Sequence, residues 1–408
     1  MTLNDLQPLL VPPMGRERHY WRPREDAYIS RSERRRETGE YYSAVPAHIA
    51  GYTPVLPSDI SATMEESARD LGRLDAYATS RFGAGGHVMG PMSSILLRTE
   101  STSSSQIENL TVGAKNLALQ ELGEGRGGNA AVVVGNVRAM EAALKLAGDI
   151  SEPNLLAMHH ALLSHQTNWE EYAGRYRSEL VWVGSSSAGP LHASHVGPQP
   201  ELVRPLIADL LAFIGRDDLP VILQCAIAHA QFETIHPFAD GNGRVGRALV
   251  HAILRNKELT DNVTPPVSAG LLTDTERYFD ALVAYRAGDA RPIVECFAHA
   301  CRYAAATGIQ LIDDLTAQLE QSREALHGVR SDAASWQVLP KLIEQPIVNQ
   351  EYLTATMGLS PPAARRAIGT LTERGVLTEI MGGRRNKVWE HAGIIRVLDD
   401  YAKHLRRE

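Results

Sequence analysis

Residues 236–247 combine, within a short stretch, side chains suited to proton transfer and to anion binding. His236 is followed four residues later by Asp240, then by a Gly-Asn-Gly turn, and then by Arg244 and Arg247. A histidine titrates near neutral pH and can take a proton from a hydroxyl group. Two arginines three positions apart on a helix can reach the same anion, and a guanidinium binds phosphate oxygens in pairs. The stretch therefore predicts a base beside a site for more than one phosphate.

The flanking sequence predicts how these side chains are positioned. Residues 220–235 are mostly apolar and indicate one helix, and residues 244–256 indicate a second. Glycines between the helices let the backbone approach a ligand closely, and the second helix directs its free N–H groups and positive dipole end into the loop. Asp240 offers the hard oxygen that Mg²⁺ takes when phosphates supply its other ligands. The alternative is a structural turn whose arginines form surface ion pairs and whose histidine packs.

Residues 236–247 also resemble the signature of the Fic family, His-x-Phe-x-(Asp or Glu)-Gly-Asn-Gly-Arg-x-x-Arg, at every specified position. The resemblance implies an all-α Fic helical fold and the transfer of AMP from ATP to a protein hydroxyl, with release of pyrophosphate. It implies that His236 is the general base and that Asp240 holds Mg²⁺. Gly243 supports AMP transfer, because relatives that transfer phosphate carry lysine there. The implied nucleotide contacts in this stretch are Asp240, Gly241, Asn242, Gly243, Arg244, Gly246 and Arg247.

A serine-rich stretch upstream matches a second family pattern. Self-inhibited Fic proteins carry (Ser or Thr)-x-x-x-Glu-(Gly or Asn) on a helix beside the nucleotide pocket, and Ser104 to Asn109 fits it. Taken alone, the stretch predicts a polar loop, because serine and threonine compete for backbone hydrogen bonds. The resemblance instead implies an inhibitory helix near 101–110, in which Glu108 pairs with Arg247 and displaces the γ-phosphate. A surface cap or ion pair at Glu108 is the alternative.

Two further segments acquire roles through the resemblance. A short run without helical period, followed by Gly and Ser, predicts a β-hairpin within 174–200. In the Fic family this hairpin is a flap to which the target protein adds as an extra strand, which places the target's hydroxyl beside the histidine.

The second segment contains Tyr278, Phe279 and Arg286. Phe279 stands where many relatives have tyrosine, so an ordinary core aromatic is the alternative there. The implied nucleotide contacts in the two segments are Val183, Gly184, Ser185, Ser186, Tyr278, Phe279 and Arg286.

Three domains are predicted along the chain. Residues 1–50 form an irregular, charge-rich N-terminal arm lying over the main domain, residues 51–330 form the catalytic domain, and residues 335–408 form a winged helix-turn-helix. The last is predicted from three short helices and a two-stranded wing with Gly382-Gly383 at its tip. Its basic residues suit DNA, although winged helices also bind proteins or a second copy of the chain, which leaves a homodimer open. These basic residues are Arg365, Arg366, Arg384, Arg385 and Lys387.

Composition limits the class of protein, the partners and the location that the sequence allows. Of the 408 residues, 44% are hydrophobic and 22% are charged, as in soluble globular proteins. The net formal charge of −7 excludes a global basic field for nucleic acid. The three cysteines lack metal-ligand spacing, and no apolar run approaches the ~18 residues of a membrane span. The sequence therefore predicts a cytoplasmic protein with no membrane partner.

One adjacent pair of histidines does not predict a shared metal site. His159 and His160 lie side by side on a predicted helix, and adjacent helical positions do not face one site. Packing or surface roles are expected for both.

The sequence thus predicts a self-inhibited protein adenylyltransferase with ATP and Mg²⁺ as substrate and cofactor, acting on a Ser, Thr or Tyr hydroxyl. One rival on the same fold is removal of AMP, with Glu108 positioning a water. Another is a DNA-binding regulator whose Fic-like part only senses nucleotide.

Overall fold

The computed structural model describes residues 7–24, 28–83, 86–164, 166, 169–184, 188–381 and 387–404. These residues are mostly helical, with small antiparallel sheets, and the predicted all-α fold with a small hairpin is confirmed. Ser185 and Ser186 of the predicted nucleotide contacts, and residues 382–386 of the predicted wing, lie outside the described residues. Within the described part of the chain, no helix is long and apolar enough to cross a membrane.

The chain divides into two compact units that interleave in sequence. The first comprises Met1–Ala68, Arg138–Glu258 and Thr275–His299, and the second comprises Arg69–Val137, Leu259–Asp274 and Ala300–Glu408. The predicted domain limits follow the chain in order, and they stay a prediction.

The secondary structure begins with a hairpin and continues as helices. The elements before residue 200 are β1 (Gly15–Trp21), α1 (Arg31–Arg36), β2 (Gly39–Val45), α2 (Ser58–Phe82), α3 (Met89–Ile107), α4 (Ala114–Glu121), α5 (Asn129–Lys145), α6 (Glu152–Leu163), β3 (Trp182–Val183) and β4 (His195–Val196). The elements from residue 200 onward are α7 (Pro200–Ile214), α8 (Val221–Ile235), α9 (Asn242–Asn256), α10 (Val267–Leu272), α11 (Thr275–Arg286), α12 (Arg291–Ala325), α13 (Ala334–Glu344), β5 (Ile347–Val348), α14 (Gln350–Ala355), α15 (Pro361–Glu373), β6 (Thr378–Met381), β7 (Val388–Glu390) and α16 (Ala392–His404).

The prediction that the first 50 residues are irregular is wrong. β1 and β2 pair as an antiparallel hairpin, from Gly15 opposite Val45 to Trp21 opposite Gly39. The charges of β1 obscure the strand in the sequence because most of this strand is exposed. Just before β1 the chain runs beside the end of α11, where the Val11 N–H donates to the Gly288 carbonyl at 3.0 Å. Within the first unit, therefore, the N-terminal segment does lie over other elements.

Helices α8 and α9 form the centre of the first unit. α8 is mostly apolar and is buried over almost its whole length, as expected for a helix surrounded by protein. Gly246 permits the close approach of α9, since a Cβ atom there would lie 3.0 Å from the Phe232 ring. The predicted helix–loop–helix corner is thus present, and α9 begins at Asn242.

In the second unit, the serine-rich stretch is helical. It forms the end of α3, where the hydroxyls of Ser101 and Ser105 donate to the carbonyl groups four residues earlier. Tertiary contacts support this conformation: Asn136 donates to the Ser101 carbonyl at 2.8 Å, and the buried Glu100 carboxylate accepts from the Ser268 N–H at 2.8 Å. Packing therefore overrides the local preference of serine for loops.

The C-terminal elements of the second unit follow the predicted order of helices and strands. β7 lies between β5 and β6 in an antiparallel sheet, and Ser360 caps α15 ahead of Pro361. α3 packs against α13, and α4 packs against α16 and β5. A shared hydrophobic cluster joins α4 to the C-terminal elements and consists of Ala118, Leu119, Ile347, Val388 and Ile395. The winged helix-turn-helix assignment stays a prediction.

Candidate functional site

His236 ends α8 in a left-handed conformation. Its φ and ψ are 50° and 62°, and its N–H donates to the Phe232 carbonyl at 2.8 Å. The side chain is 18% exposed, and Nδ1 lies 3.7 Å from Oε2 of Glu233. Burial lowers the pKa of His236 to about 4. The imidazole is therefore neutral at pH 7 and can accept a proton.

Arg177 holds the backbone of His236 in place. The Arg177 side chain donates from Nε to the His236 carbonyl at 2.8 Å, and the Arg177 backbone N–H donates to the Pro237 carbonyl at 3.0 Å. Its other guanidinium nitrogens donate to the carbonyls of Glu179 at 2.9 Å and Pro198 at 2.7 Å. One buried guanidinium thus connects the left-handed residue to both ends of the hairpin segment.

His159 supports the loop after His236. Its ring stacks on Phe238 at a centroid distance of 3.7 Å and an interplanar angle of 5°. Its Nδ1 accepts from the Gly174 N–H at 3.0 Å, so Nε2 carries the hydrogen and donates to the Asp240 carbonyl at 3.1 Å. Burial lowers the pKa of His159 to about 4. The expected packing role is confirmed, and the ring also fixes Asp240.

Asn242 and Gly241 close the same loop. The Asn242 side chain accepts from the Phe238 N–H at 2.8 Å and donates to the Phe238 carbonyl at 2.9 Å. Gly241 has φ +78°, and a Cβ atom there would lie 2.5 Å from Cδ2 of Leu162. The side-chain amide of Asn242 is hydrogen-bonded within the loop. The backbone N–H of Asn242 is therefore the group that remains to bind a ligand.

The N-terminus of α9 and Arg244 form a candidate anion cradle. The first helical hydrogen bond runs from the Val245 N–H to the Gly241 carbonyl at 3.0 Å, so the N–H groups of residues 242–244 precede the helical ladder. Arg244 is only 3% exposed, and its Nη2 lies 2.9 Å from Oδ2 of Asp240, whose side chain is 38% exposed. The cradle therefore carries both positive charge and an accessible carboxylate.

Arg247 lies in a second polar cluster on α9. It is 3% exposed and forms a side-chain hydrogen bond with Tyr278, whose hydroxyl lies 2.6 Å from Nε2 of His229. Burial, together with the Arg247 charge, lowers the pKa of His229 to about 3. Tyr278 is buried, whereas Phe279 is 50% exposed and so is not a core aromatic. Tyr278 and Phe279, two of the implied nucleotide contacts, thus occupy different environments.

The predicted hairpin is present as β3 and β4. Trp182 pairs with Val196 and Val183 with His195. The His195 ring lies 6.4 Å from the His236 ring, and its Nε2 lies 2.9 Å from the Thr234 carbonyl. Gly184 fits closely against Ala193. The hairpin therefore lies next to His236.

The N-terminal hairpin packs against this flap. Trp21 contacts Trp182 with ring centroids 5.4 Å apart and donates from Nε1 to the Ala188 carbonyl at 3.1 Å. A groove of about 520 Å³ runs between β2, β4 and the end of α11, and both His195 and Arg286 line it. Nη2 of Arg286 lies 3.4 Å from the Glu233 carbonyl.

Glu108 follows directly after α3. Its N–H donates to the Ser105 carbonyl at 3.1 Å, and Asn109 ends the helix with φ 62°. Ser104 is buried in the last turns of α3. The resemblance correctly implied a helix at this position.

The residues present fit a magnesium ion that is carried by a nucleotide. Within the described residues, no group of three His, Cys, Asp or Glu side chains could hold a metal. Asp240 supplies a single accessible carboxylate beside the anion cradle. Mg²⁺ often binds through one carboxylate and substrate phosphates.

Sequence reasoning missed Arg177, His159 and His195 as site residues. Arg177 gives no signal by itself in a stretch containing several arginines. His159 was judged only by its adjacency to His160, although His159 is fully buried and His160 is exposed. His195 follows a Gly/Ser segment, and only the strand pairing places it beside His236.

Comparison with known proteins agrees with this geometry. Residues 149–254 match the family described as Fic/DOC. "Protein adenylyltransferase fic-1" of Caenorhabditis briggsae is 32% identical over 149 residues, which are 36% of this chain and 26% of the relative. "Protein adenylyltransferase Fic" of Nematostella vectensis is 34% identical over 148 residues, 36% of this chain and 31% of the relative. The chain thus spans less than a third of the length of either curated relative.

A solved structure extends the similarity beyond the matched domain. A Fic family protein from Desulfovibrio desulfuricans is 25% identical, with a TM-score of 0.53, and the match covers 83% of this chain and 97% of that one. The signature residues, the helix–loop–helix corner and the hairpin beside His236 agree with these matches. Residues 149–254 of this chain thus form a domain that matches the Fic/DOC family.

Proposed function

We propose that this protein is a self-inhibited adenylyltransferase, which transfers AMP from ATP to a Ser, Thr or Tyr hydroxyl of a target protein. The observation that carries the proposal is a neutral His236 held beside the anion cradle at the start of α9. The names of the curated relatives support this activity.

In the proposed reaction, His236 accepts the proton of the target hydroxyl as its oxygen attacks the α-phosphorus. The bond to the oxygen that bridges the α- and β-phosphates breaks, and pyrophosphate leaves. Arg244, Arg247 and the first N–H groups of α9 stabilise the negative charge on the leaving group. The chain thus acts through placement and electrostatics.

Asp240 is the residue that would hold Mg²⁺, and the bound ion would neutralise phosphate charge. The Asp240 carboxylate already lies against Arg244, so the two groups together orient the loop. The Phe238 backbone bonds of Asn242 and the stacking of His159 on Phe238 keep that loop in one conformation.

The flap provides the proposed docking site for the target. β3 and β4 are short, and Val183 is 42% exposed, so an extended segment can add its main chain beside it. The ring of His195 on β4 lies 6.4 Å from the ring of His236. The groove lined by Arg286 lies on the same side as β4 and offers further room for target side chains.

We also propose that Glu108 inhibits the enzyme by pairing with Arg247 in place of the γ-phosphate. The helical, buried end of α3, with Glu108 next in the chain, supports this role. A signal that moves the end of α3 would then release Glu108 from Arg247.

The experiment is incubation with Mg²⁺ and ATP labelled at the α-phosphate, in a lysate of the source cell. Glu108→Gly is expected to label itself or a partner far more than wild type does, and Glu108→Gly with His236→Ala is expected to be silent. Equal labelling with and without His236 contradicts the proposal. Release of AMP from a labelled partner by the wild type would instead identify the AMP-removing activity.

A second candidate function is DNA binding by residues 335–408. Arg365 and Arg366 are both exposed on α15, the third helix of this region. Binding to a duplex that weakens with salt, and that is lost when both arginines become alanine, would support it. We further propose a cytoplasmic location, for which the burial of all three cysteine side chains is the supporting observation.

A further inference from the structure

The groove beside the flap is large enough to hold part of a partner molecule. It measures about 520 Å³, and its walls come from the N-terminal hairpin, from β4 with the turn before it, and from the end of α11. All of these elements belong to the first unit. Binding clefts typically measure about 300–1000 Å³ and combine apolar walls with a few placed polar groups.

Two arginines reach this groove from neighbouring segments. Arg16 lies on β1 and Arg286 lies at the end of α11, and the Met14 N–H donates to the Arg286 carbonyl at 2.9 Å, which joins the two segments. Arg16 is exposed, and among the described residues no side chain pairs with it. Nε of Arg286 makes no hydrogen bond within the same part of the chain. Both guanidinium groups can therefore still bind an added acceptor.

The other ionisable side chains of the groove do not neutralise these arginines. Glu40 is the acid among the described residues that line it, and its carboxylate lies 3.5 Å from Nη1 of Arg18. His195 is uncharged at pH 7, because burial lowers its pKa to about 2. The groove thus carries net positive charge, which favours an anionic group.

Apolar surface lies in the same groove as the two arginines. Tyr42 on β2 is 53% exposed and Val283 on α11 is 57% exposed, and both line the groove. Tyrosine and arginine are enriched in protein–protein interfaces relative to the rest of the surface. The composition of the groove is therefore that of a protein-binding surface.

The groove is continuous with the flap. Ser194, His195 and Val196 of the β4 segment line it, and the His195 ring lies 6.4 Å from the His236 ring. A segment that lies extended along the flap points successive side chains to opposite faces. Side chains close to the modified hydroxyl can therefore enter the groove.

We propose that this groove selects target proteins through an acidic side chain, aspartate or glutamate, within a few residues of the modified hydroxyl. The carboxylate binds Arg16 and Arg286, and Tyr42 and Val283 contact the neighbouring apolar groups of the target. This role of Arg286 differs from the nucleotide contact that the family resemblance implies. The assignment of the bound segment as a target rests on the proposed function, whereas the binding itself does not require AMP transfer.

The test is fluorescence anisotropy with two short labelled peptides and the full-length chain, measured without ATP. One peptide has a central serine between valines and carries glutamate at alternate positions on both sides, and the other has glutamine in place of every glutamate. The wild type is expected to bind the glutamate peptide about tenfold more tightly, and added salt is expected to reduce the difference. No saturable binding of the glutamate peptide, or equal affinity for the two peptides, overturns the proposal.

Substitutions of Arg16 locate the binding surface, because this exposed residue lies outside the groups proposed to bind nucleotide or accept the proton. Arg16→Gln is expected to lose most of the preference for the glutamate peptide, and Arg16→Glu is expected to lose all of it. Arg31→Gln, at an exposed arginine of α1 that does not line the groove, is the matched control and is expected to keep the preference. Circular dichroism confirms that each variant is folded. An unchanged preference in folded Arg16→Glu, or an equal loss in Arg31→Gln, contradicts the assignment of this groove.

The same titration with His236→Ala separates this inference from the proposed function. The variant is expected to transfer no AMP and to keep the preference for the glutamate peptide. A preference that persists in a wild-type protein without AMP transfer would support the groove and remove the proposed reaction. AMP transfer by a protein that binds the two peptides equally would support the reaction and overturn the role of the groove.

Discussion

The guanidinium of Arg177 donates to the main-chain carbonyl of His236 at 2.8 Å, so an arginine far from the signature controls the backbone of the proposed base. Lysine keeps the charge but cannot reach the carbonyls of Glu179, Pro198 and His236 together. Arg177→Lys is therefore expected to lower the kcat of Glu108→Gly by about tenfold to a hundredfold, because small misplacements are costly in catalysis. The exposed Arg175→Lys is the matched control, and equal loss in both variants would contradict the positioning role.

The pH dependence of AMP transfer follows from the lowered pKa of His236, about 4. A base with this pKa stays neutral from pH 8 down to about 5, so the rate is expected to change little over this range and to fall as the pH approaches 4. Initial rates of Glu108→Gly in buffers of constant ionic strength give the profile. His160→Ala, at an exposed histidine, is expected to leave the profile unchanged. An acid limb centred near pH 6.5 would show that His236 titrates as in solution.

Acid is also expected to destabilise the first unit through His159, whose pKa is lowered to about 4 by burial. The unfolded chain, with a histidine pKa of about 6.5, binds the proton first, so stability is lost as the pH falls from 6.5 toward 4. The loss for His159 amounts to about 3 kcal/mol at pH 4. Urea unfolding at pH 7 and at pH 5 measures the part of this loss that falls between those pH values, about 2 kcal/mol. His159→Phe is expected to show a smaller difference between the two pH values than the wild type, and an equal difference would argue against His159.

Gly241 is constrained both by its φ of +78° and by Leu162. Gly241→Ala is expected to destabilise the protein by about 2 kcal/mol or more, since a left-handed backbone alone costs a non-glycine residue about 1–2 kcal/mol. In a double-mutant cycle with Leu162→Ala, the steric part of the loss is recovered and the conformational part is not. Gly148→Ala, where a Cβ atom meets nothing within 4 Å, is the control. Strictly additive losses at residues 162 and 241 would rule out the contact.

Asp240→Asn is expected to raise the Mg²⁺ concentration needed for half-maximal AMP transfer by about tenfold, because a neutral amide is a weaker ligand for a hard cation. The buried Arg244 also loses its charged partner, so a drop in the unfolding temperature is expected to accompany the change. Asp218→Asn, at an exposed ion pair, controls for general charge effects. An unchanged Mg²⁺ requirement would show that Asp240 serves only Arg244.

The sequence predicted the chemistry of residues 236–247 because that chemistry lies in residue types at fixed spacing. The sequence also predicted the two helices on either side, since α8 is mostly apolar and α9 starts after a glycine turn. The helical conformation at the end of α3 could not be predicted from the residue types alone. Serines alone favoured a loop, and only tertiary contacts such as Asn136 on the Ser101 carbonyl make the helix stable.

The N-terminal hairpin and the supports of the site could not be predicted in this way. The exposed charges of β1 hide its strand pairing with β2, which joins residues up to 30 positions apart, as Gly15 and Val45 are. His159 and Arg177 act on backbone groups of the loop after α8, and such contacts depend on long-range folding rather than on local pattern.

The hydrophobic cluster that joins α4 to β5, β7 and α16 makes the C-terminal region an integral part of the second unit. A chain cut after residue 330 would expose this cluster and the face of α3 that packs on α13. Gain of activity in such a truncated protein would therefore report damage to the support of the proposed inhibitory segment as readily as loss of a separate repressor. Conversely, a partner that binds the last helices would act on the segment before Glu108 through packed side chains.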